Sequence, residues 1–220
     1  MRHRLFLVGF AGLLSVGLVT ARAVTVDAPV ADAAMRGDAE AVRTLLREGA
    51  DVNAAQADGM TALHWTAERG DVDTMSVVLY AGAAVDPLTR LGRYTPLHLA
   101  STRGHAAAVT RLLAAGCKAD ALTTTGVLPI HLAAQAGSAD AVKALLSAGA
   151  DANAIDRTHG RSPLVFAVSR NRIAAMTLLI EMGADIGQAT NVIDYAQRSR
   201  TDASDRQTRS RIMAATTGRA

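Results

Sequence analysis

The chain has 220 residues, of which 50% are hydrophobic, 20% charged and 3% aromatic; this suits a single domain with a sizeable core and disfavours both disorder and a large β-sandwich. Its single cysteine, Cys117, excludes a disulfide framework and a cysteine-based zinc site. The formal charge of +3 is carried by Arg2, Arg4 and Arg22, so the remainder is balanced and implies no global attraction to nucleic acid or anionic membrane.

The N-terminal segment reads as a targeting signal. Met1-Arg2-His3-Arg4 is basic, Leu5 to Thr20 is apolar, and Ala21-Arg22-Ala23 presents small residues where a signal peptidase cuts. The apolar run is short for a membrane span of roughly 20 residues. Residues 1–23 are therefore expected to be a cleaved secretory signal, with an uncleaved N-terminal anchor as the alternative. No second apolar run of spanning length follows, so the mature chain is expected to be free of the membrane, in the periplasm or secreted.

Beyond this segment the sequence repeats. Thr61-Ala62-Leu63-His64, Thr95-Pro96-Leu97-His98, Leu128-Pro129-Ile130-His131 and Ser162-Pro163-Leu164-Val165 start 34, 33 and 34 residues apart. Gly37, Gly70, Gly104, Gly137 and Asn171 keep the same rhythm, as do Gly49, Gly82, Gly116, Gly149 and Gly183. Five units follow, at about 28–57, 58–91, 92–124, 125–157 and 158–189, within a repeat region spanning 24–189.

Within each unit the residue types predict two helices. Proline suits a first helical turn, where its missing N–H is not needed. The glycine series supplies a left-handed turn between the helices, and asparagine at 171 is the non-glycine residue that best tolerates it. Second helices carry apolar residues at helical spacing: Val42, Leu45 and Leu46; Val109, Leu112 and Leu113; Val142, Leu145 and Leu146; Met176, Leu179 and Ile180. The second glycine series caps them, and Asp51-Val52-Asn53 begins a polar hairpin loop with an Asx turn.

No unit can bury its apolar stripe alone, so the units must stack. Asp32 occupies the slot of Trp65, Leu99, Leu132 and Phe166, as befits an N-terminal cap. Asn191-Val192-Ile193-Asp194-Tyr195-Ala196 opens a degraded sixth unit, so residues 190–220 are expected to form a C-terminal capping half-repeat and tail.

Thr95-Pro96-Leu97-His98-Leu99-Ala100, Gly104-His105, Leu112-Leu113-Ala114-Ala115-Gly116 and Gly149-Ala150-Asp151-Ala152-Asn153-Ala154 closely resemble the ankyrin-repeat family. The resemblance covers roughly residues 28–190. It implies an all-α solenoid of helix-turn-helix repeats with projecting β-hairpin loops, in which first helices line a concave face and hairpins form the binding edge. Extra residues between Gly92 and Thr95 and between Asp156 and Gly160 fall on that edge.

Catalytic signatures are missing: no Gly-x-Ser-x-Gly elbow, phosphate-cradling Gly-x-x-x-x-Gly-Lys loop or His-Glu-x-x-His helix occurs. His64, His98 and His131 recur once per unit. Helices packed about 8–10 Å apart place successive members too far apart to share a metal bound at about 2.0–2.1 Å. They are expected to bond backbone near their own hairpin and a neighbour's. Cys117 takes the slot of Ala50, Ala83, Ala150 and Ala184, so a small, buried, inert thiol is expected. Trp65 aligns with core residues and is expected in the core.

Arg36, Arg69, Arg103 and Arg170 end first helices, with Arg90, Arg93, Arg157 and Arg161 in the hairpins. Two readings stand: a solvated stripe favoured by the helix dipole, or a basic strip that reads an acidic protein surface. Residues that vary from unit to unit, Gln56 and Met60 among them, are surface candidates. The partner-binding set is Arg69, Arg90, Arg93, Tyr94, Arg103, Thr124, Arg157 and His159. The expected function is non-catalytic protein binding outside the cytoplasm by a monomer. It needs no cofactor or metal and has no nucleic-acid partner. The alternative is a stabilising or inhibitory subunit of an exported enzyme.

Overall fold

The computed structural model describes residues 27–187; the expected signal 1–23 and the expected capping segment 190–220 lie outside the described residues. Among the described residues there are ten α-helices and no strands. They are α1 (Pro29–Arg36), α2 (Ala39–Arg47), α3 (Ala62–Arg69), α4 (Val72–Tyr80), α5 (Pro96–Arg103), α6 (Ala106–Ala114), α7 (Pro129–Ala136), α8 (Ala139–Ser147), α9 (Pro163–Ser169) and α10 (Ile173–Glu181). Odd-numbered helices pack on one another in series and even-numbered helices do the same, giving a two-row stack of five helix pairs.

Local chemistry accounts for each boundary. Pro29, Pro96, Pro129 and Pro163 occupy first turns. The four turn glycines take φ between 71° and 86°, and Asn171 takes φ 53° in the same place. Asp38 and Asp71 cap α2 and α4 by accepting the N–H of Ala41 (2.9 Å) and Thr74 (3.0 Å). Asp140 lies within the first turn of α8, and Ser138 caps that helix by accepting the N–H of Ala141 at 3.3 Å. Second helices end in paired reverse bonds, Gly49 N–H to Leu46 O (3.2 Å) and Ala50 N–H to Leu45 O (3.0 Å). The same closure recurs in every unit, which places Ala83, Cys117, Ala150 and Ala184 where a larger side chain would be crowded.

The core runs the length of the stack between the two rows. Val42, Met75, Val109 and Val142 are fully buried, as are Leu63, Leu97, Ile130, Leu112, Leu145 and Leu179. Trp65 departs from expectation. It packs against this core but remains half-exposed, because its indole N–H donates to Gln56 Oε1 (2.8 Å) and Gln56 in turn donates to Asp32 (2.5 Å). An amphipathic ring with a polar tip settles at the boundary rather than inside. Met60 is not a surface residue: it is buried at 7% exposure beneath its hairpin.

The candidate partner-binding edge

The histidine series builds the frame that holds the hairpins. In His64 and His98, Nδ1 accepts the N–H of Thr61 (3.1 Å) and Thr95 (3.2 Å) at the start of the same helix. Nε2 donates to the next unit's loop, His64 to Tyr94 O (3.1 Å) and His98 to Val127 O (3.2 Å). His131 accepts the N–H of Leu128 (3.2 Å) and donates between Ala154 O and Arg161 O, both at 3.1 Å. Each ring thus ties one helix start to the following hairpin, as the spacing predicts. Burial pushes all three imidazoles down from their ordinary value, that of His98 to about 4, and the neutral Nε2–H form is the one these bonds require.

Each hairpin closes through one cross-bond, without a strand ladder: Gln56 N–H to Met60 O (2.9 Å), Thr89 N–H to Tyr94 O (3.0 Å), Thr123 N–H to Val127 O (3.1 Å) and Asp156 N–H to Arg161 O (3.0 Å). The second and fourth spans are one residue longer, where the sequence places its insertions. Neighbouring tips are stitched together by Arg90 N–H to Asp58 O (2.8 Å), Thr124 N–H to Gly92 O (3.0 Å) and Thr158 Oγ1 to Thr125 O (3.2 Å). The tips form one continuous edge.

In three of the four hairpins the residue opening the closure also organises its loop, which the sequence argument missed. Thr89 Oγ1 accepts the N–H of Tyr94 at 2.9 Å and donates to Leu91 O at 2.8 Å, and Thr123 Oγ1 accepts the N–H of Val127 at 3.0 Å. Asp156 goes furthest. At 1% exposure it accepts the N–H of His159 (2.8 Å) and of Arg161 (3.2 Å), and it pairs with the Arg161 guanidinium at 2.8 and 2.9 Å. Burial pushes the Asp156 carboxyl up, but these donors outweigh it and hold it below the usual range. Arg161 also lies over the Phe166 ring at 4.5 Å. The sequence signal for these residues was a side-chain acceptor at a fixed distance, seven residues, after each capping glycine (Gly82, Gly116 and Gly149).

The structure divides the candidate arginines by what they already hold. Arg69 donates to Met35 O (3.4 Å) and covers Gly37, and Arg103 pairs with Glu68 (2.5 Å). His105 donates to Glu68 O at 3.1 Å. Arg69 and His105 thus satisfy carbonyls at the C-terminal end of the preceding first helix, and Arg103 pairs with a carboxylate on it. Arg90, Arg93 and Arg157 are exposed on the tips, and among the described residues their guanidinium groups have no hydrogen-bond or ion-pair partner. Arg93 sits at φ 56°, a left-handed conformation uncommon for a non-glycine residue, directly after Gly92 at φ 81°. Tyr94 is half-buried, its ring edge-on to His98 at 5.8 Å. Thr124 and His159 are exposed beside the arginines, with His159 Nδ1 3.8 Å from Asp156. Leu91, at 82% exposure, stands between Arg90 and Arg93. No periodic pattern marks it, and it was not a sequence candidate.

A family model described as ankyrin repeats (3 copies) matches the chain twice, over residues 30–123 and 97–190. The chain belongs to the ankyrin-repeat family. Ankyrin repeats generally mediate protein–protein interaction and are non-catalytic modules. A comparison with individual curated proteins finds no match.

Two further features bear on chemistry in this ankyrin stack. Cys117 is 7% exposed and its thiol donates to Val85 O at 3.2 Å; burial, with the Asp86 carboxylate nearby, pushes it up to about 12, so it carries almost no thiolate at neutral pH. Among the described residues no group of three or more His, Cys, Asp or Glu is placed to hold a metal ion, and no helix is long and apolar enough to cross a membrane.

Proposed function

We propose that this ankyrin-repeat chain is a non-catalytic adaptor that binds an acidic segment of another protein along its hairpin edge. The observation that carries this reading is the set of three uncommitted guanidinium groups on one bonded edge, Arg90 and Arg93 flanking the exposed Leu91 on the second hairpin tip and Arg157 on the fourth. Arginine binds carboxylates in forked pairs, and an aliphatic side chain at the centre offers apolar area to exclude water from those pairs. Arg69 and Arg103, exposed at first-helix ends, are already engaged by Met35 O and Glu68 and fall outside this set. The basic start and apolar run of residues 1–23 support a site of action in the periplasm or outside the cell.

The test is photo-crosslinking in the native envelope from a reactive group placed at Leu91, with exposed Ala107 on α6 as the control position. A specific partner captured from 91 and not from 107 is expected, and it is lost when Arg90, Arg93 and Arg157 are all changed to Glu while the Tm stays unchanged. Equal capture from both positions, or capture indifferent to the charge reversal, refutes the edge as the binding surface. Mass spectrometry of the native protein checks the location: a start near Val24 supports export, and an intact Met1 overturns it.

A further inference from the structure

The hairpin edge carries a second column of side chains beside its arginines. Leu88, Leu122 and Ile155 hold one position in the second, third and fourth hairpins, each directly before the residue that opens the closure. Exposure alternates along all three segments. Leu88 is 40% exposed, Thr89 is buried and Arg90 is exposed; Ile155 at 54%, Asp156 and Arg157 repeat this order. In the third hairpin Leu122 is half-buried, Thr123 buried and Thr124 exposed. An extended chain turns alternate residues to the same side, so each aliphatic side chain shares a face with the residue two places on.

Two parallel columns result, an aliphatic one at 88, 122 and 155 and a polar one at 90, 124 and 157, about 6–7 Å apart. The stem of Arg157 lies against Gly126 on the third tip and leaves no room there for a side chain. It therefore leans back over the preceding hairpin and narrows the gap that Thr124 leaves between the arginines. Arg90, Arg93 and Arg157 are exposed on these three tips, and no exposed carboxylate stands among them. The apolar column thus runs beside a one-signed charge, which suits a partner segment that is aliphatic and acidic together.

The interval between hairpins selects the conformation of that segment. Successive units advance by the packing distance of their helices, about 8–10 Å. A β-strand presents same-face residues about 6.6 or 13 Å apart, which misses this interval. An α-helix returns to the same face after seven residues, about 10.5 Å, and a polyproline II chain after three, about 9.3 Å. Closely set carboxylates also repel one another along a helix and favour an extended chain. We infer that the acidic partner segment lies along the second to fourth tips as a polyproline II-like chain. An aliphatic residue at every third position rests on Leu88, Leu122 and Ile155 in turn, and the carboxylates between them reach Arg90, Arg93 and Arg157. This inference rests on the hairpin edge being the binding surface and adds the partner's conformation and residue spacing.

The test pans random displayed peptides of about 18 residues, long enough to show a three-residue or a seven-residue repeat, on the full chain. The triple variant Arg90→Glu, Arg93→Glu, Arg157→Glu serves for counter-selection. Enriched peptides are expected to be acidic, with Leu, Ile or Val at every third position. A synthetic copy should lose about tenfold or more in affinity when its aliphatic residues are respaced to every second position, and similarly when the chain carries Leu88→Asp with Ile155→Asp. Both variants change exposed sites, and an unaltered circular dichroism spectrum and Tm separate lost binding from unfolding. Acidic binders that repeat at every second or every seventh position, or that tolerate respacing, overturn the inference while leaving the edge as the binding surface. Failure of the parent chain to enrich acidic peptides over the triple variant refutes the edge itself, and the inference falls with it.

Discussion

Replacing His98 with Leu tests the frame of the stack through two independent readouts. The ring is fully buried; it accepts Thr95 N–H, meets Thr95 Oγ1 at 2.8 Å and donates to Val127 O. Leucine has similar bulk and no polar atom. Val127 O keeps the N–H of Thr123 at 3.1 Å, whereas Thr95 N–H is left buried without its acceptor. One lost net bond and one orphaned donor together cost about 2–4 kcal/mol at pH 7. The second readout is pH. Burial holds the folded imidazole at about 4 against an ordinary 6.5, so the unfolded chain takes up its proton first as the solution is acidified. The stability this group contributes is complete above pH 6.5 and is lost as pH falls towards 4; from pH 7 to 5 the loss is about 2 kcal/mol. His64 and His131 shift in the same direction and remain in the variant, so the difference between the two chains isolates His98. Urea unfolding followed by circular dichroism at pH 7 and pH 5 measures both effects. The variant should be less stable at pH 7, and the gap should narrow at pH 5. A gap that stays constant between the two pH values would refute the assignment of a neutral, bridging imidazole.

Other perturbations probe the remaining parts. Leu112→Ala, at a fully buried site in the middle of the stack, should cost about 2–5 kcal/mol in urea unfolding; a change below about 0.5 kcal/mol would mean that the register is wrong. Asp156→Ala should destabilise by about 2–4 kcal/mol through loss of charged hydrogen bonds, and should loosen hydrogen exchange across residues 157–161 before it affects α1 to α6. Because the Asp156 carboxyl is held below its ordinary value, its contribution is present at neutral pH and disappears only as pH falls through that lowered value, a more acidic window than that of the histidines. Asn171→Ala should cost about 1–2 kcal/mol from the left-handed backbone, whereas Asn171→Gly should be neutral or stabilising. A neutral-pH thiol reagent should label Cys117 only at the rate of global unfolding, and rapid labelling of the folded chain would contradict its burial.

The sequence alone determined the helix pairs, because their signals are local and repeated: proline at helix starts, a residue that tolerates positive φ at the turn, apolar spacing on the second helix. Repetition then forces stacking, since one short amphipathic pair has nowhere else to bury its stripe. The forward-reaching histidines were legible for the same reason, one ring per unit at a constant offset. Tertiary structure decided what a side chain does once a neighbouring unit is in place. Arg69 and Arg90 look alike in sequence, but one is spent on the carbonyl of Met35 and the other is free at a tip. Asp156 is a buried hub and Asp58 an exposed tip residue, because burial depends on what the adjacent hairpin covers. Met60 turns inward beneath its hairpin and Leu91 outward at a tip, and side-chain type alone does not separate the two. Periodicity specifies the contacts each unit must make; the choice among surface residues rests on non-periodic contacts between units, and those exist only in three dimensions.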